Sequence, residues 1–202
     1  MKKSNAKAKR VNDHYSRQAK KENFPARSVY KLKEIQKKFR LIQRNDQVLD
    51  LGCCPGSWLL YAAELTGSGG RVIGIDLNPL SIHTPGHVTV MQGDMLALTD
   101  QDYAPLERQI NVTLSDAAPS TTGVKSVDAA RSYELCQGAL AIATRVLVGG
   151  GSFACKMFAG EDFTEFTKSV KRHFKKCKVF KPQSCRKASK EIYLIGSGFK
   201  SK

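Results

Sequence analysis

The stretch QVLDLGCCPGSW, residues 47–58, decides the fold. A short apolar run ends in a glycine turn at Gly52, and Gly56 precedes an apolar segment, 57–65, with helical spacing. This reads as a buried strand passing through a tight loop into a helix. The alternation continues outward. RVIGIDL (71–77), HVTVMQGD (87–94), INVTLSD (110–116) and GSFACKMF (151–158) read as strands two to five. CKVFKPQ (177–183) and EIYLIGSGF (191–199) read as a closing hairpin pair. Helices are predicted from Pro25 onward, with Val29, Leu32, Ile35 and Phe39 near helical spacing, then over 127–147, ended by Gly149-Gly150-Gly151, and over 161–175. Strands alternating with helices predict an α/β, Rossmann-like chain. Its mostly parallel seven-stranded sheet is covered by helices on both faces. One domain is expected over 25–202, preceded by a basic, flexible segment over 1–24.

Ligands of such sheets bind at the carboxyl ends of the strands, near the switch in strand order. The informative residues are therefore Asp50–Gly56, Asp76, Asp94, Asp116 and Lys156. The loop after strand one lacks the GxxxxGK[ST] pattern of a phosphate-cradling loop. It also has Cys54 where the dinucleotide fingerprint needs its second glycine. Gly52 and Gly56 still let backbone pass close to a ligand. Asp76 is placed to accept from ribose hydroxyls, Asp94 to meet an adenine edge. A ligand with a ribose, no pyrophosphate and positive groups tolerant of carboxylates is S-adenosylmethionine. Trp58 is read as a pocket wall and packing residue together. The competing reading of each aspartate is a helix cap.

Charge is segregated. Residues 1–46 hold 15 Lys/Arg and 4 Asp/Glu, 47–164 hold 6 and 12, and 165–202 hold 12 and 2, summing to +15. Two basic ends around an acidic middle point to an anionic partner, nucleic acid before an acidic membrane. No run approaches the ~20 apolar residues of a membrane span. The beginning MKKSNAKAKR is not followed by the apolar core of a secretory signal. The 6 cysteines form no CxxC pair, so they read as thiols, with neither disulfides nor a metal site expected.

After strand four comes Ser115-Asp116-Ala117-Ala118-Pro119-Ser120. Methylation of a base amino group favours an Asn/Asp-Pro-Pro-aromatic turn, and carbon-5 methylation needs a cysteine where Ser120 stands. Attack by an oxygen remains. Seven segments in order then resemble the FtsJ/RrmJ-type RNA ribose 2′-O-methyltransferases, from about Arg27 to Phe199. They are ARSVYKLKEI (26–35), VLDLGCCPGSW (48–58), GIDLNP (74–79), QGD (92–94), SDAAPSTTG (115–123), GGSFACKMFAGE (150–161) and KPQSCRKASKEIYLIGSGFK (181–200). Within that family the resemblance is to the bacterial type acting on a uridine of large-subunit (23S) ribosomal RNA, in the peptidyl-transferase region. It implies S-adenosylmethionine as cofactor, held at Gly56, Trp58, Asp76, Asp94 and Asp116, with Gly52 in the same loop. It also implies a catalytic set of Lys31, Asp116, Lys156 and Glu191. Cys53, Cys54 and Ser57 depart from the small residues and second glycine usual in the family.

In that set Lys156 is the candidate base, oriented by Asp116, while Lys31 and Glu191 hold the hydroxyl. Arg27, Lys33, Lys37 and Lys38 beside Lys31, and Arg186, Lys187 and Lys190 before Glu191, are expected to hold RNA phosphates. A cytoplasmic monomer acting on the assembled large subunit is expected. The rival readings are ribose methylation of tRNA, a non-catalytic RNA-binding assembly factor, and a small-molecule methyltransferase, which the basic ends disfavour.

Overall fold

A computed structural model describes residues 14–120, 122–186 and 189–201. A helix, α1, covers 14–21. Then come α2 (Val29–Phe39), β1 (Gln47–Leu51), α3 (Ser57–Thr66), β2 (Arg71–Asp76) and β3 (Val88–Gln92). A 3-10 turn, Met95–Ala97, and the short α4 (Asp100–Tyr103) lead into β4 (Ile110–Ser115) and α5 (Lys125–Val146). The chain closes with β5 (Leu147–Phe158), α6 (Phe163–His173), β6 (Phe174–Phe180) and β7 (Glu191–Phe199). All seven strands form one sheet in the order β3-β2-β1-β4-β5-β7-β6. β1 to β5 are parallel, and β7 runs antiparallel between β5 and β6.

Successive side chains on a strand point to opposite faces. Leu49, Leu51, Ile73, Ile75, Phe153, Cys155, Met157 and Leu194 pack with Ala139, Ala143, Phe166 and Val170, which belong to α5 and α6. Val48, Val72, Val112, Leu114, Ala154, Tyr193 and Ile195 pack on the other face with Leu32, Ile35, Leu59 and Ala62, from α2 and α3. Two residues further along from Val48, Leu114 and Ala154 stand Asp50, Asp116 and Lys156. Alternation therefore sends all three to the face that α2 covers, at the carboxyl ends of the strands.

α2 is held there by Leu32 and Ile35, each with no exposure, a burial contributing about 1.5–3 kcal/mol per side chain. Its entry is pinned to α3. Ser57 Oγ accepts from the Ala26 N–H at 2.7 Å and donates to the Ala26 carbonyl at 3.0 Å. These contacts hold 25–28 in turns, so α2 starts at Val29 and not at Pro25.

Other boundaries also differ from the sequence reading. Gly149–Gly151 do not end a helix; they lie inside β5, which begins at Leu147 and shifts register against β4 between Ile110 and Val112. β6 starts at Phe174 because that ring is buried against Phe153 and Phe199. The flexible segment expected over 1–24 does not extend to 14–24. There Ala19 and Phe24 are buried with Val29 and Tyr30 in a small core of their own. Residues 1–13 lie outside the described residues. Among those described, no helix is long and apolar enough to cross a membrane.

Candidate active site

A cleft of about 590 Å³ opens at the carboxyl ends of β1, β2 and β4. β1 and β4 are the strands between which the order reverses, the usual ligand position of this architecture. Gly52, Asp76, Asp94 and Asp116 line it, with Asn78, Glu134 and Arg131. Four carboxylates against one guanidinium disfavour a pyrophosphate and suit a ligand bearing positive charge.

The loops around the cleft are tightly fitted. Gly52 has φ +75°, and a Cβ there would lie 2.7 Å from Ala117 Cα, so glycine lets the loops after β1 and β4 meet. Asp76 accepts from the Cys54 N–H at 2.9 Å, from the Asn78 N–H at 2.8 Å and from the Asn78 side-chain amide at 3.1 Å. A carboxylate has about four lone-pair sites, so one remains for a ribose hydroxyl. Asp94 caps the 3-10 turn by accepting from the Leu96 N–H at 2.9 Å while lining the cleft. The capping aspartate is therefore also a cleft-lining one. Gly56 and Trp58 are placed differently from Gly52. Gly56, at φ +106°, caps α3 and lies against Leu80 and Ile82. The Trp58 side chain is no pocket wall. It is 3% exposed, its indole N–H donates to the Ser28 carbonyl at 2.9 Å, and it stacks on Tyr193 at 5.7 Å.

The two cysteines of the loop fit for local reasons. Gly74 in β2 leaves room for Cys53, since a Cβ at that glycine would meet the thiol sulfur at 2.8 Å. Burial, then the carboxylates of Asp50 and Asp76, push the Cys53 thiol up; burial and Asp76 do the same to Cys54. Cys53, Cys54 and Asp76 have ligand atoms within 4.8 Å of one another, but protonated thiols are poor metal ligands. Beneath the loop, Asp50 is fully buried, and among the described residues neither carboxylate oxygen has a hydrogen-bond partner. Burial, followed by the charges of Asp116 and Asp76, holds it well above the usual carboxylate range.

At the rim of the cleft two lysines meet two carboxylates. Asp116 follows the last residue of β4, and Ser115 pairs with Cys155, which sets Asp116 beside Lys156. Lys156 Nζ lies 3.0 Å from Asp116 Oδ1 and also donates to the Asp116 carbonyl. On β7, Tyr193 stands opposite Lys156 and Glu191 opposite Phe158. Glu191 and Tyr193 are two apart, so both share the Lys156 face. The Tyr193 hydroxyl donates to Asp116 Oδ1 at 2.7 Å. Burial, reinforced by Asp116, keeps that phenol protonated far above its ordinary value. Lys31 comes down from α2 and pairs with Glu191 at 2.7 Å. Burial works to lower the Lys31 ammonium, but Asp116 and Glu191 outweigh it and hold it above its ordinary value. Lys31 is thus a cation at neutral pH.

A second cleft, of about 500 Å³, adjoins the Lys31–Glu191 pair and is lined by Arg27, Lys31, Arg186 and Glu191. Lys37, Lys38 and Lys190 are exposed, and Lys187 lies outside the described residues. Lys33 is a correction to the expected phosphate-binding set. It pairs with Glu22 and lies 4.7 Å from the centre of the Phe24 ring and 5.4 Å from that of Tyr61. It fastens the segment before α2 and does not face the cleft. Tyr193, Arg131 and Glu134 are site residues that sequence reasoning missed. Strand alternation from Glu191 was the available signal for Tyr193, and the three-residue helical spacing of Arg131 and Glu134 was that for the α5 wall.

Residues 24–199 match the FtsJ-like methyltransferase family. The chain is 50% identical over 188 residues to the ribosomal RNA large subunit methyltransferase E of Desulforapulum autotrophicum, covering 93% of each chain. It is 50% identical over 195 residues to the protein of the same name in Desulfatibacillum aliphaticivorans, covering 96% of this chain and 94% of the relative. Among solved structures, one described as a ribosomal RNA methyltransferase of Plasmodium falciparum superposes with a TM-score of 0.75 at 28% identity, over 87% of this chain and 98% of the other. A SAM-dependent O-methyltransferase of Thermotoga maritima shares the fold, with a TM-score of 0.58 at 14% identity, over 84% of this chain and 65% of the other. The architecture and the cleft are those of a Rossmann-like class I S-adenosylmethionine-dependent methyltransferase. Within that class, the chain belongs to the FtsJ-like methyltransferase family.

Proposed function

We propose that this chain transfers the methyl group of S-adenosylmethionine to a ribose 2′-oxygen of large-subunit ribosomal RNA. The target is a uridine in the peptidyl-transferase region. The chain acts in the cytoplasm, as a monomer with no membrane partner, on the assembled subunit. The observation that carries the reading is the meeting of Lys156–Asp116 with Lys31–Glu191 at the boundary between an acidic cleft and a basic one.

The acidic cleft fits the cofactor. Asp76 has a lone pair left for a ribose hydroxyl, and Asp94 faces the cleft where an adenine edge is expected. Gly52 lets the backbone approach. The first-turn N–H groups of α3, Trp58's among them, have no acceptor inside the helix and suit the amino-acid carboxylate. When bound, S-adenosylmethionine supplies an electrophilic methyl on a good leaving group.

The protein's own contribution is geometry and proton removal. Lys156 accepts the 2′-hydroxyl proton as the free amine, since an ammonium has no lone pair to take it. Asp116 aims its Nζ with side chain and carbonyl together, and Tyr193 fixes Asp116 in turn. Lys31 donates to the 2′-oxygen as negative charge develops there, and Glu191 holds Lys31 in place. Arg27, Lys37, Lys38, Arg186, Lys187 and Lys190 receive the RNA backbone.

The test is transfer of a tritiated methyl group to intact large subunits, naked ribosomal RNA and tRNA. Label is expected in large-subunit RNA, with intact subunits preferred. Label confined to tRNA, or no transfer to any RNA, would reject the proposal.

A further inference from the structure

The segment joining β6 to β7 is held by an acid in a basic helix. Glu34 lies in α2 among Lys31, Lys33, Lys37 and Lys38. Its Oε2 accepts from the Gln183 N–H at 2.6 Å and its Oε1 from the Ser184 N–H at 2.8 Å. Arg27, just before the same helix, donates to the Ser184 carbonyl. The segment is folded on itself as well: the Ser189 N–H donates to the Arg186 carbonyl at 2.9 Å, and Lys181 Nζ donates to the Ser189 carbonyl at 2.8 Å. The result places Arg186 and Arg27 in the walls of one cleft with Lys31.

Among the described residues, that cleft brings the Arg27 and Arg186 guanidinium groups beside the Lys31–Glu191 pair. Burial, and then the neighbouring Arg186 charge, hold the Arg27 guanidinium below its ordinary value. The planar forks of two guanidinium groups gathered this way match phosphate oxygens. The cleft touches the rim of the first cleft through Lys31 and Glu191, so a phosphate held there lies next to the reacting ribose.

We propose that this cleft is a subsite for the phosphodiester adjoining the target ribose, and that Glu34 is the positioning residue that builds it by fixing the Arg186-bearing segment. The inference rests on the RNA-methylating reading and adds a sign that simple electrostatics does not give. If Glu34 were only a negative charge on a basic surface, removing it would tighten RNA binding. If it builds the subsite, removing it frees the segment, and the ordering cost then falls on the binding step.

Large-subunit RNA binding and single-turnover methylation are to be measured for wild type, Glu34→Gln, Glu34→Ala, Arg186→Ala and the Glu34→Ala/Arg186→Ala double variant, with thermal midpoints recorded. Glu34→Ala is expected to weaken RNA binding by about three- to tenfold. Glu34→Gln, which keeps one acceptor oxygen, should fall between it and wild type. S-adenosylmethionine affinity and the rate at saturating RNA should stay close to wild type. Arg186→Ala should cost less in the Glu34→Ala background than alone, because the arginine is no longer held in place. Tighter or unchanged RNA binding in both Glu34 variants, or strictly additive losses, would overturn the subsite. A wild-type protein that neither binds nor methylates RNA would overturn the underlying reading with it.

Discussion

Lys31 and Lys156 share one rim but have different neighbours. Lys31 is held as a cation by Glu191 and Asp116, whereas Lys156 is aimed by two oxygens of a single residue, Asp116. Replacing Lys156 by Ala should lower single-turnover methyl transfer by about 10²–10⁴-fold, the range of a lost general base, while cofactor and RNA still bind. Lys156→Arg should fail nearly as badly, because a guanidinium keeps its proton. A near-wild-type rate in that variant would remove Lys156 from proton transfer. Tyr193→Phe removes the 2.7 Å bond to Asp116 and should cost about 1.5–3 kcal/mol of stability, as for a hydrogen bond to a charged group, read as a lower denaturation midpoint. Asp50 carries a pH prediction. Its folded-state pKa is raised by burial, so the folded chain holds a proton that the unfolded chain releases above about pH 4, and stability falls as pH rises from there. Asp50→Asn should flatten that fall in cofactor-free protein and raise the thermal midpoint at alkaline pH; parallel melting profiles for both proteins would contradict it. At this scale the strand ends marked the cleft aspartates, and the family resemblance named Lys31, Asp116, Lys156 and Glu191, whose side chains meet in two ion pairs. It could not orient Trp58, because a tryptophan after a glycine loop can turn toward ligand or core. Here the Ser28 carbonyl and the Tyr193 ring decide for the core.

α2 shows what an element adds to its residues. Lys31, Glu34 and Lys38 recur at three and four residues and share the face toward the β6–β7 segment, while Lys33 lies elsewhere around the helix, against Glu22 and Phe24. Reading the lysines as one patch ignored that period, and Lys33 was misassigned for this reason. Lys33→Glu should therefore lower the thermal midpoint, with a loss of about 1 kcal/mol, by repelling Glu22 and abandoning the Phe24 ring, with little change in RNA affinity. Lys38→Glu should do the reverse. Equal effects of the two on RNA binding would contradict the assignment of faces. The parallel strands were legible because each is a short apolar run punctuated by Gly or Asp. The triple glycine before Ser152 was not, because its flexibility serves a register shift between β4 and β5 that no local pattern announces. The helix over 14–21 was hidden by charge, since within it Ala19 is the one buried residue and Tyr15 packs beside it partly exposed.

Over the whole molecule, the topology explains the charge distribution. The basic N-terminal part ends in α2 and the basic C-terminal part contains the β6–β7 segment, and these meet at one rim through Glu34, Arg27 and Lys31. The acidic middle supplies the carboxyl ends of β1 to β4 and hence the cofactor cleft. RNA affinity should consequently fall steeply with salt, log K dropping by about 0.7–0.9 per phosphate neutralised for each decade of salt, while S-adenosylmethionine affinity changes little; filter binding and calorimetry across a salt series test the pair. The chemistry of the product tests the account most directly. Ribosomal RNA labelled with a tritiated methyl group by this protein is to be digested to nucleosides and separated. The geometry of Lys31, Asp116, Lys156 and Glu191 predicts label on a ribose 2′-oxygen, and almost none with Lys156→Arg; the family resemblance points to 2′-O-methyluridine from one position of large-subunit RNA. Label on a base would contradict it.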